Sequence, residues 1–418
     1  MSDALTLKAE ATLQDANVFK NKSFILLWVG TLFSGLSLSM FYFSEAWYVV
    51  EVLNMEASLG IIYLVGSIPR VVFMTIGGVL ADRISQAKIM FVSDITKAVL
   101  LLFLVISLFA VGSIELWTLI IFALLFGVLD AFFWPASGSI IPSIVTKKQL
   151  TRANSVMQTT NQSTSIIGPM ISGVIIVGFN YTGIFSLLAI MLLIGGILVA
   201  FVKIDKTQEK LSKEKESFLT SIKEGFRYVR KAPVLLAFIL KTLFLNLFFT
   251  GPLVVGLPIF VKNILGGDTL HYSLLEAFLA GGMLIGSVAL GLLNITKHRG
   301  MISIYAQLVT SVSFLLLSFT LSITQSIAAI IVLGIAMTVS NICAVSVIQN
   351  EADSNMIGRV MSIQTISSMG LTPISFGLTS LFLSFHISIN WIMMTGAILL
   401  LLFTLFLLLR VPTLRQVN

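Results

Sequence analysis

Two oppositely charged residues, Arg70 and Asp130, each stand within a long apolar stretch of the sequence. An ionised side chain in apolar surroundings needs either a partner of opposite charge or a proton that neutralises it. The two residues therefore predict one of two kinds of chemistry. They form a purely structural ion pair, or Asp130 leaves its partner during a working cycle and takes up a proton.

Further polar residues in apolar stretches are candidates for binding a ligand or a proton. Glu45 lies among aromatic residues in FYFSEAWYVV, where it could recognise a cation, accept a proton or snorkel to an interface. Lys241 lies near one end of its stretch, with Asn246 one to two turns further on. Lys241 either faces a cavity or snorkels, and snorkelling is the favoured interpretation. Asp94 and Lys97, three residues apart, are predicted to satisfy each other.

Membrane-spanning helices are the elements that must position these residues. The chain has 418 residues, of which 57% are hydrophobic and 11% charged, whereas soluble domains carry about 25% charged residues. Apolar runs approach or reach about 20 residues, the length that a helix needs to cross a bilayer. We predict an all-α membrane protein of two six-helix halves, with twelve spans near 24–50, 58–80, 89–112, 116–141, 154–178, 182–203, 233–262, 272–293, 301–322, 326–348, 360–384 and 389–410.

The distribution of lysine and arginine predicts the orientation. Basic residues collect in the loops on one side of the predicted membrane, whereas the opposite loops hold only Lys262. By the positive-inside rule, both termini are then cytoplasmic, in a multi-pass protein of the cell membrane. The predicted segments are a leader at 1–23, a first half at 24–203, a central loop at 204–232, a second half at 233–410 and a tail at 411–418.

The central loop is the only sustained polar segment of the chain. In its second part, Phe218 to Val229 have helical spacing of apolar residues next to basic ones. This pattern suits an amphipathic helix on the inner leaflet. A solvated linker with a helical end is an equally good interpretation.

The stretch GGVLADRISQAKIM, from Gly77 to Met90, interrupts the apolar pattern with a glycine pair and then charges. Glycines let a membrane helix approach its neighbour closely, and Asp82, Arg83 and Lys88 form a compact charged group at the predicted inner face. Twelve spans with the motif Gly78-x-Leu-Ala-Asp-Arg after span 2 resemble the major facilitator superfamily. AFFWPASGSIIPSIVTKKQLTRANSV and GPLVVGLPIFVKNILGG resemble its branch with macrolide-efflux proteins and the enterobactin exporter.

The resemblance implies a gating role for the charged motif. In the family, the aspartate of this motif engages the N-terminal end of span 11 when the transporter is closed inside. In this chain the aspartate is Asp82, and span 11 begins at MIGRVMS, which contains Arg359. A helix N-terminus stabilises a carboxylate by about 0.3–1 kcal/mol. The alternative is that the motif charges are ordinary positive-inside anchors.

A second motif concerns the direction of transport. TSIIGPMISG resembles in part the span 5 motif of drug exporters, carried here by Gly168, Pro169 and Gly173. Proline and glycine at these positions predict a bend at the interface between the halves. Drug antiporters of the superfamily often carry an arginine in span 4 for proton coupling, which GVLDAFFWPASG lacks.

These features predict a secondary active transporter that exports an amphipathic small molecule, driven by a proton gradient, with residues 1–203 rocking against 233–418. Lipid or lysolipid transport and import of a small molecule are the alternatives, and a non-transporting receptor is a weaker one. The sequence has no nucleotide-binding motif, no metal-ligand spacing and scattered histidines, so we expect no enzyme activity, no cofactor, no metal and no nucleic-acid partner. A monomer in the lipid bilayer is expected.

Overall fold

The structure, a computed structural model, describes residues 17–146, 148–204, 218–293, 297–353 and 355–410. Within these ranges the regular structure is helical and no residue is in a strand. The first five α-helices are α1 (Lys22–Trp47), α2 (Glu56–Arg83), α3 (Gln86–Val111), α4 (Leu116–Ile140) and α5 (Leu150–Ala200). A π-helical turn, Tyr48–Val52, follows α1, and a 3-10 turn, Ile141–Ser143, follows α4.

The later helices begin in the predicted central loop. They are α6 (Phe218–Lys231), α7 (Pro233–Leu245), α8 (Gly251–Val254), α9 (Gly256–Asn263), α10 (Thr269–Leu293), α11 (Arg299–Phe319), α12 (Ile323–Glu351), α13 (Ile357–Met369), α14 (Thr372–Ser384) and α15 (Ile389–Arg410). A second π-helical turn, Asn246–Thr250, joins α7 to α8. Helix α6 covers the predicted amphipathic segment of the central loop.

Eleven helical segments of the described chain are long and apolar enough to cross a membrane. One of them, α5, has 51 residues, which would extend about 77 Å at 1.5 Å per residue, more than twice the hydrocarbon thickness. Its only interior residue with non-helical dihedral angles is Asn180, with φ 57° and ψ −173°. The sequence places the boundary between its fifth and sixth spans at this position.

The two longest of the other segments are Lys22–Val52 and Pro233–Asn263, each of 31 residues. They correspond to the first and seventh predicted spans, and each contains one π-helical turn. A π turn inserts an extra residue into the helical ladder and often marks a functional part of a helix.

The described residues form two compact units. One unit holds residues 17–44 and 68–204, and the other holds 45–67 and 218–410. A buried core in the first unit includes Phe24, Met90, Phe133 and Met157. A core in the second unit includes Phe238, Val347 and Val360. The predicted leader and central loop lie partly, and the predicted tail wholly, outside the described residues, and the predicted segment boundaries stay predictions.

The second unit provides hydrogen-bond acceptors for the only lysine of the predicted outer loops. Lys262, in the last turn of α9, donates from Nζ to the carbonyl oxygen of Val50 at 2.6 Å and to Asn54 Oδ1 at 2.5 Å. Glu51 Oε2 is 4.0 Å from the same ammonium. The cation therefore satisfies a carbonyl at the C-terminal end of a helical segment, where positive charge is favoured.

Asp268 immediately precedes α10 in the same unit. Its Oδ1 accepts hydrogen bonds from the backbone N–H groups of His271 and Leu270, both at 3.0 Å. The bond from His271 is the main reason that the pKa of Asp268 lies below its ordinary value. A carboxylate in this place is a helix cap, which typically stabilises a helix by about 1 kcal/mol.

Candidate functional site

A buried cluster of charges joins α1, α2, α3 and α4 in the first unit. Asp130 of α4 is 0% exposed, and its Oδ2 accepts a hydrogen bond from Arg70 of α2. Its Oδ1 accepts one from Lys97 Nζ of α3 at 2.5 Å. Tyr42 of α1 accepts a hydrogen bond from Arg70 at 2.6 Å and donates one to Asp130 at 3.4 Å. The ion pair between Arg70 and Asp130 is thus present, and it has a second cation that the sequence analysis missed.

The predicted pairing of Asp94 with Lys97 is wrong. Although the two residues lie on one face of α3, Lys97 reaches across to Asp130, and Asp94 Oδ2 accepts a hydrogen bond from Ser34 at 2.6 Å. Asp94 is 0% exposed, and its Oδ1 has no hydrogen-bond partner among the described residues. Lys97 therefore pairs with Asp130 and not with Asp94, because the neighbouring helix α4 offers it a better-placed acceptor than its own helix.

A small cavity adjoins the charge cluster. Its volume is about 10 Å³, enough for about one water molecule. Lys97, Ser34 and Ser37 supply its polar lining, and the rest is Leu38, Phe41, Leu101, Phe126 and Leu192. The space beside the cluster therefore suits a bound water rather than an organic molecule.

Glu45, in the last turn of α1, is only 1% exposed, which excludes the predicted snorkelling of its side chain. Neither of its carboxylate oxygens has a hydrogen-bond partner among the residues that the structure describes. The neighbouring Trp47 is also 1% exposed and stacks on Tyr272 of α10, with ring centroids 5.5 Å apart. In the first unit, Phe41 stacks on Phe126 at 4.5 Å. Trp47 and Phe41 are therefore both packed against other aromatic rings.

Lys241 of α7 does not snorkel, contrary to the favoured prediction. It is 3% exposed, and its Nζ donates to Ser303 Oγ of α11 and to Ser340 Oγ of α12, each at 2.7 Å. Uncharged hydroxyls therefore hold a buried cation between three helices. Asn246, the first residue of the π-helical turn, donates from Nδ2 to the carbonyl of Thr242 in α7, at 2.9 Å.

Replacing Lys241 with methionine is expected to leave stability nearly unchanged, because removing a buried charge and filling its volume is often neutral or stabilising. Ser303→Ala is expected to lose about 1–3 kcal/mol, since the ammonium then loses one acceptor and keeps only those of Ser340, and to lose less in the Lys241→Met background. Thermal unfolding of the purified single and double variants measures both effects. A Lys241→Met protein that unfolds far below the wild type would contradict this interpretation of the site.

The glycine–charge motif lies at the end of α2 and the start of α3. A Cβ atom at Gly77 would overlap the backbone carbonyl of Ala131 in α4, so the predicted close approach of these helices is present. The side chains of Asp82 and Arg83 and the surroundings of Gly78 lie outside the described residues. Lys88 is exposed in the first turn of α3. The gating contact of Asp82 stays a prediction.

Arg359 lies in the first turn of α13, which begins at Ile357 as predicted for span 11. Its Nη1 lies 2.8 Å from Glu224 Oε2 of α6. Helix α6 approaches α13 so closely that a Cβ at Gly225 would lie 3.2 Å from Arg359 Cβ. Tyr228 of α6 also accepts a hydrogen bond from the backbone N–H of Asp353, at 3.1 Å. The helix of the central loop therefore packs on this end of α13 and is no free linker.

The proline–glycine motif lies in the first part of α5. Gly168, Pro169 and Gly173 are buried, and a Cβ at Gly168 would lie 2.7 Å from Ser39 Cβ of α1. The Ser172 hydroxyl donates a hydrogen bond to the carbonyl oxygen of Gly168 at 2.9 Å. The motif thus packs α5 closely against α1 within the first unit. The one interior residue of α5 with non-helical dihedral angles is Asn180 and not Pro169, and the bend predicted at the motif stays a prediction.

Within the described ranges, no group of three or more His, Cys, Asp or Glu side chains could hold a metal ion. Sequence reasoning missed four uncharged polar residues that contact the buried charges. They are Tyr42, Ser34, Ser303 and Ser340. Hydroxyl groups are common in membrane helices, so their sequence context gives no signal. The second partner of Asp130, Lys97, could have been found from its charge inside an apolar stretch.

Comparison with known sequences gives curated relatives along most of the chain. Macrolide efflux protein A of Streptococcus pyogenes is 26% identical over 387 residues, which cover 90% of this chain and 93% of that protein. The putative bacilysin exporter BacE of Bacillus subtilis (strain 168) is 26% identical over 315 residues, covering 74% of this chain and 76% of that protein. The resemblance to macrolide-efflux proteins that the motifs indicate is thereby confirmed.

Solved transporter structures share the fold. The crystal structure of the nucleoside transporter NupG matches with a TM-score of 0.73 at 12% identity, covering 92% of this chain and 99% of that one. A bacterial homologue of the human lysosomal transporter Spinster, in an inward-facing and occupied conformation, matches with a TM-score of 0.69 at 14% identity, covering 94% and 97%. The Major Facilitator Superfamily model matches residues 27–372, and the chain belongs to this superfamily of membrane transporters.

Proposed function

We propose that this protein exports an amphipathic small molecule across the cell membrane and that a proton gradient drives the export. The similarity to macrolide efflux protein A along 90% of the chain carries the proposal. A macrolide is accordingly the first cargo to test. A second relative, named a putative bacilysin exporter, agrees with outward transport.

We also propose the topology that the sequence predicts, with twelve membrane spans and both termini in the cytoplasm. The irregular Asn180 supports division of the 51-residue α5 into two spans, which would bring the number from eleven to twelve. An even number of spans places both termini on one side, and the lysine and arginine distribution favours the cytoplasm.

Transport would occur by alternating access, in which the cargo site opens to one side of the membrane at a time. The charged motif of Asp82, Arg83 and Lys88 would hold the inner side closed by contact with the start of α13, near Arg359. The ion pair of Arg359 with Glu224 and the packing of α6 on α13 would fix that end of α13. The free energy of one such contact is about the size needed to shift two conformers of similar energy.

A proton gradient is the proposed energy source because the sequence has no nucleotide-binding motif, while ionisable side chains are buried within several helices. Charges inside a membrane protein are expensive and usually functional. The side chain of Arg70 is 25% exposed, and three further ionisable residues are buried: Asp130, Glu45 and Lys241. Coupling would require that at least one of these groups binds and releases a proton during the cycle.

Cells that express the protein are expected to accumulate less of one macrolide, dye or siderophore than cells with an empty vector, and a protonophore is expected to remove the difference. Radiolabelled or fluorescent cargo retained in the cells is the quantity measured. Equal accumulation in both cell types for every compound would overturn export of these cargoes. A difference that persists with the protonophore would overturn proton coupling.

A further inference from the structure

Among the buried carboxylates that the structure describes, Glu45 differs in that neither of its oxygens has a hydrogen-bond partner. It is 1% exposed, and the residues on either side, Ser44 and Ala46, are 0% exposed. Both of its carboxylate oxygens are buried without a hydrogen bond from any described residue. A carboxylate in such surroundings is strongly disfavoured, whereas the neutral acid is tolerated.

The groups that pack around this end of α1 do not supply a partner. From α9, Lys262 directs its ammonium to the carbonyl of Val50 and to Asn54. From α10, Tyr272 stacks on Trp47 and hydrogen-bonds Glu276. The other ionisable groups of the segment itself are Tyr42, Tyr48 and Glu51. No ion pair joins any of these groups to Glu45 in the part of the chain that the structure describes.

Asp130 is in the opposite situation. Two cations, Arg70 and Lys97, bind its two oxygens, and Tyr42 donates a third hydrogen bond. Protonating this carboxylate would leave two buried cations with one fewer counter-charge, which is costly. The ion cluster is therefore suited to hold α1 to α4 together with Asp130 ionised.

We propose that Glu45 is the residue that binds the transported proton and that Asp130 is a structural counter-ion. This assignment rests on the proposed proton-driven export and names the group that performs it. The proton adds to one carboxylate oxygen of Glu45 from water on the outer side, and the neutral acid returns it to water on the inner side. No other bond forms or breaks.

The test replaces Glu45 with glutamine, which has the shape of the protonated acid but cannot release a proton. In proteoliposomes, Glu45→Gln is expected to lose transport driven by a pH gradient while exchange of labelled for unlabelled cargo at equal pH continues. Glu45→Asp is expected to restore part of the driven transport. Glu51→Gln, a neighbouring acid that is 48% exposed by side chain, is the matched control and is expected to act as the wild type.

A spectroscopic measurement on the purified protein tests the proton itself without any cargo. Infrared difference spectra between high and low pH are expected to contain, among the carbonyl stretches of protonated carboxylic acids, a component from Glu45 that is missing in Glu45→Gln and kept in Glu51→Gln. The same band in Glu45→Gln as in the wild type would overturn the assignment. If the wild type moves no cargo, the proposed function fails, and the infrared band still decides whether Glu45 holds the proton.

Discussion

Asp130→Asn is expected to lower the stability of the protein by about 3–5 kcal/mol, the usual effect of removing one partner from a buried ion pair. The effect is large because Asp130 is 0% exposed and faces both Arg70 and Lys97. The neutral amide leaves Arg70 and Lys97 without the carboxylate that both of them contact. Thermal unfolding of the purified protein, followed by the loss of monodisperse material, measures the change.

The second substitution of this experiment restores the charge balance. Lys97→Met in the Asp130→Asn background removes the more deeply buried of the two cations that lose their carboxylate. We expect the double variant to recover most of the lost stability, since the excess charge is the reason for the loss. An Asp130→Asn protein as stable as the wild type would contradict the structural role of the cluster.

Gly282→Ala is expected to destabilise the second unit by about 1–3 kcal/mol, the usual cost of overpacking a close contact. A Cβ at Gly282 of α10 would lie 2.5 Å from the carbonyl oxygen of Ile331 in α12. The same two helices approach at Gly286, where a Cβ would lie 2.7 Å from the carbonyl oxygen of Ile335. Because lipid is as apolar as the side chains, close backbone packing of this kind holds membrane helices together.

The adjacent residue provides the matched control for this prediction. A Cβ at Gly281 would meet nothing within 4 Å. Gly281→Ala is therefore expected to be neutral or to gain up to about 1 kcal/mol from the better helix propensity of alanine. Unfolding temperatures of the two variants, measured side by side, give the comparison. Equal unfolding temperatures would show that the approach of α10 to α12 is not what limits substitution at Gly282.

The helices were largely predictable from sequence because every backbone polar group in lipid must be satisfied inside a helix. The predicted spans 116–141 and 389–410 correspond closely to α4 (Leu116–Ile140) and α15 (Ile389–Arg410). The break predicted between spans 5 and 6 falls within α5, where a single residue, Asn180, has non-helical dihedral angles. The π-helical turns Tyr48–Val52 and Asn246–Thr250 also have no hydropathy signal of their own.

The site was only partly predictable, since its partners depend on how separate helices face each other. Sequence spacing places Lys97 beside Asp94, but the fold directs it to Asp130. Lys241 has hydroxyl partners in Ser303 and Ser340, and such residues are too common to be recognised in advance. That Glu45 is buried without a partner could be learned only from the structure.

Proton-driven export is the central claim, and transport by the purified protein in proteoliposomes tests it most directly. Vesicles with an imposed pH gradient, and with the membrane potential held at zero by potassium and valinomycin, are supplied with a labelled macrolide. Each proton exchanged across one pH unit can support up to about a tenfold concentration ratio of cargo. The predicted result is cargo accumulation on the acidic side that collapses when the gradient is removed. Equal cargo concentrations on both sides, with the gradient intact, would contradict it.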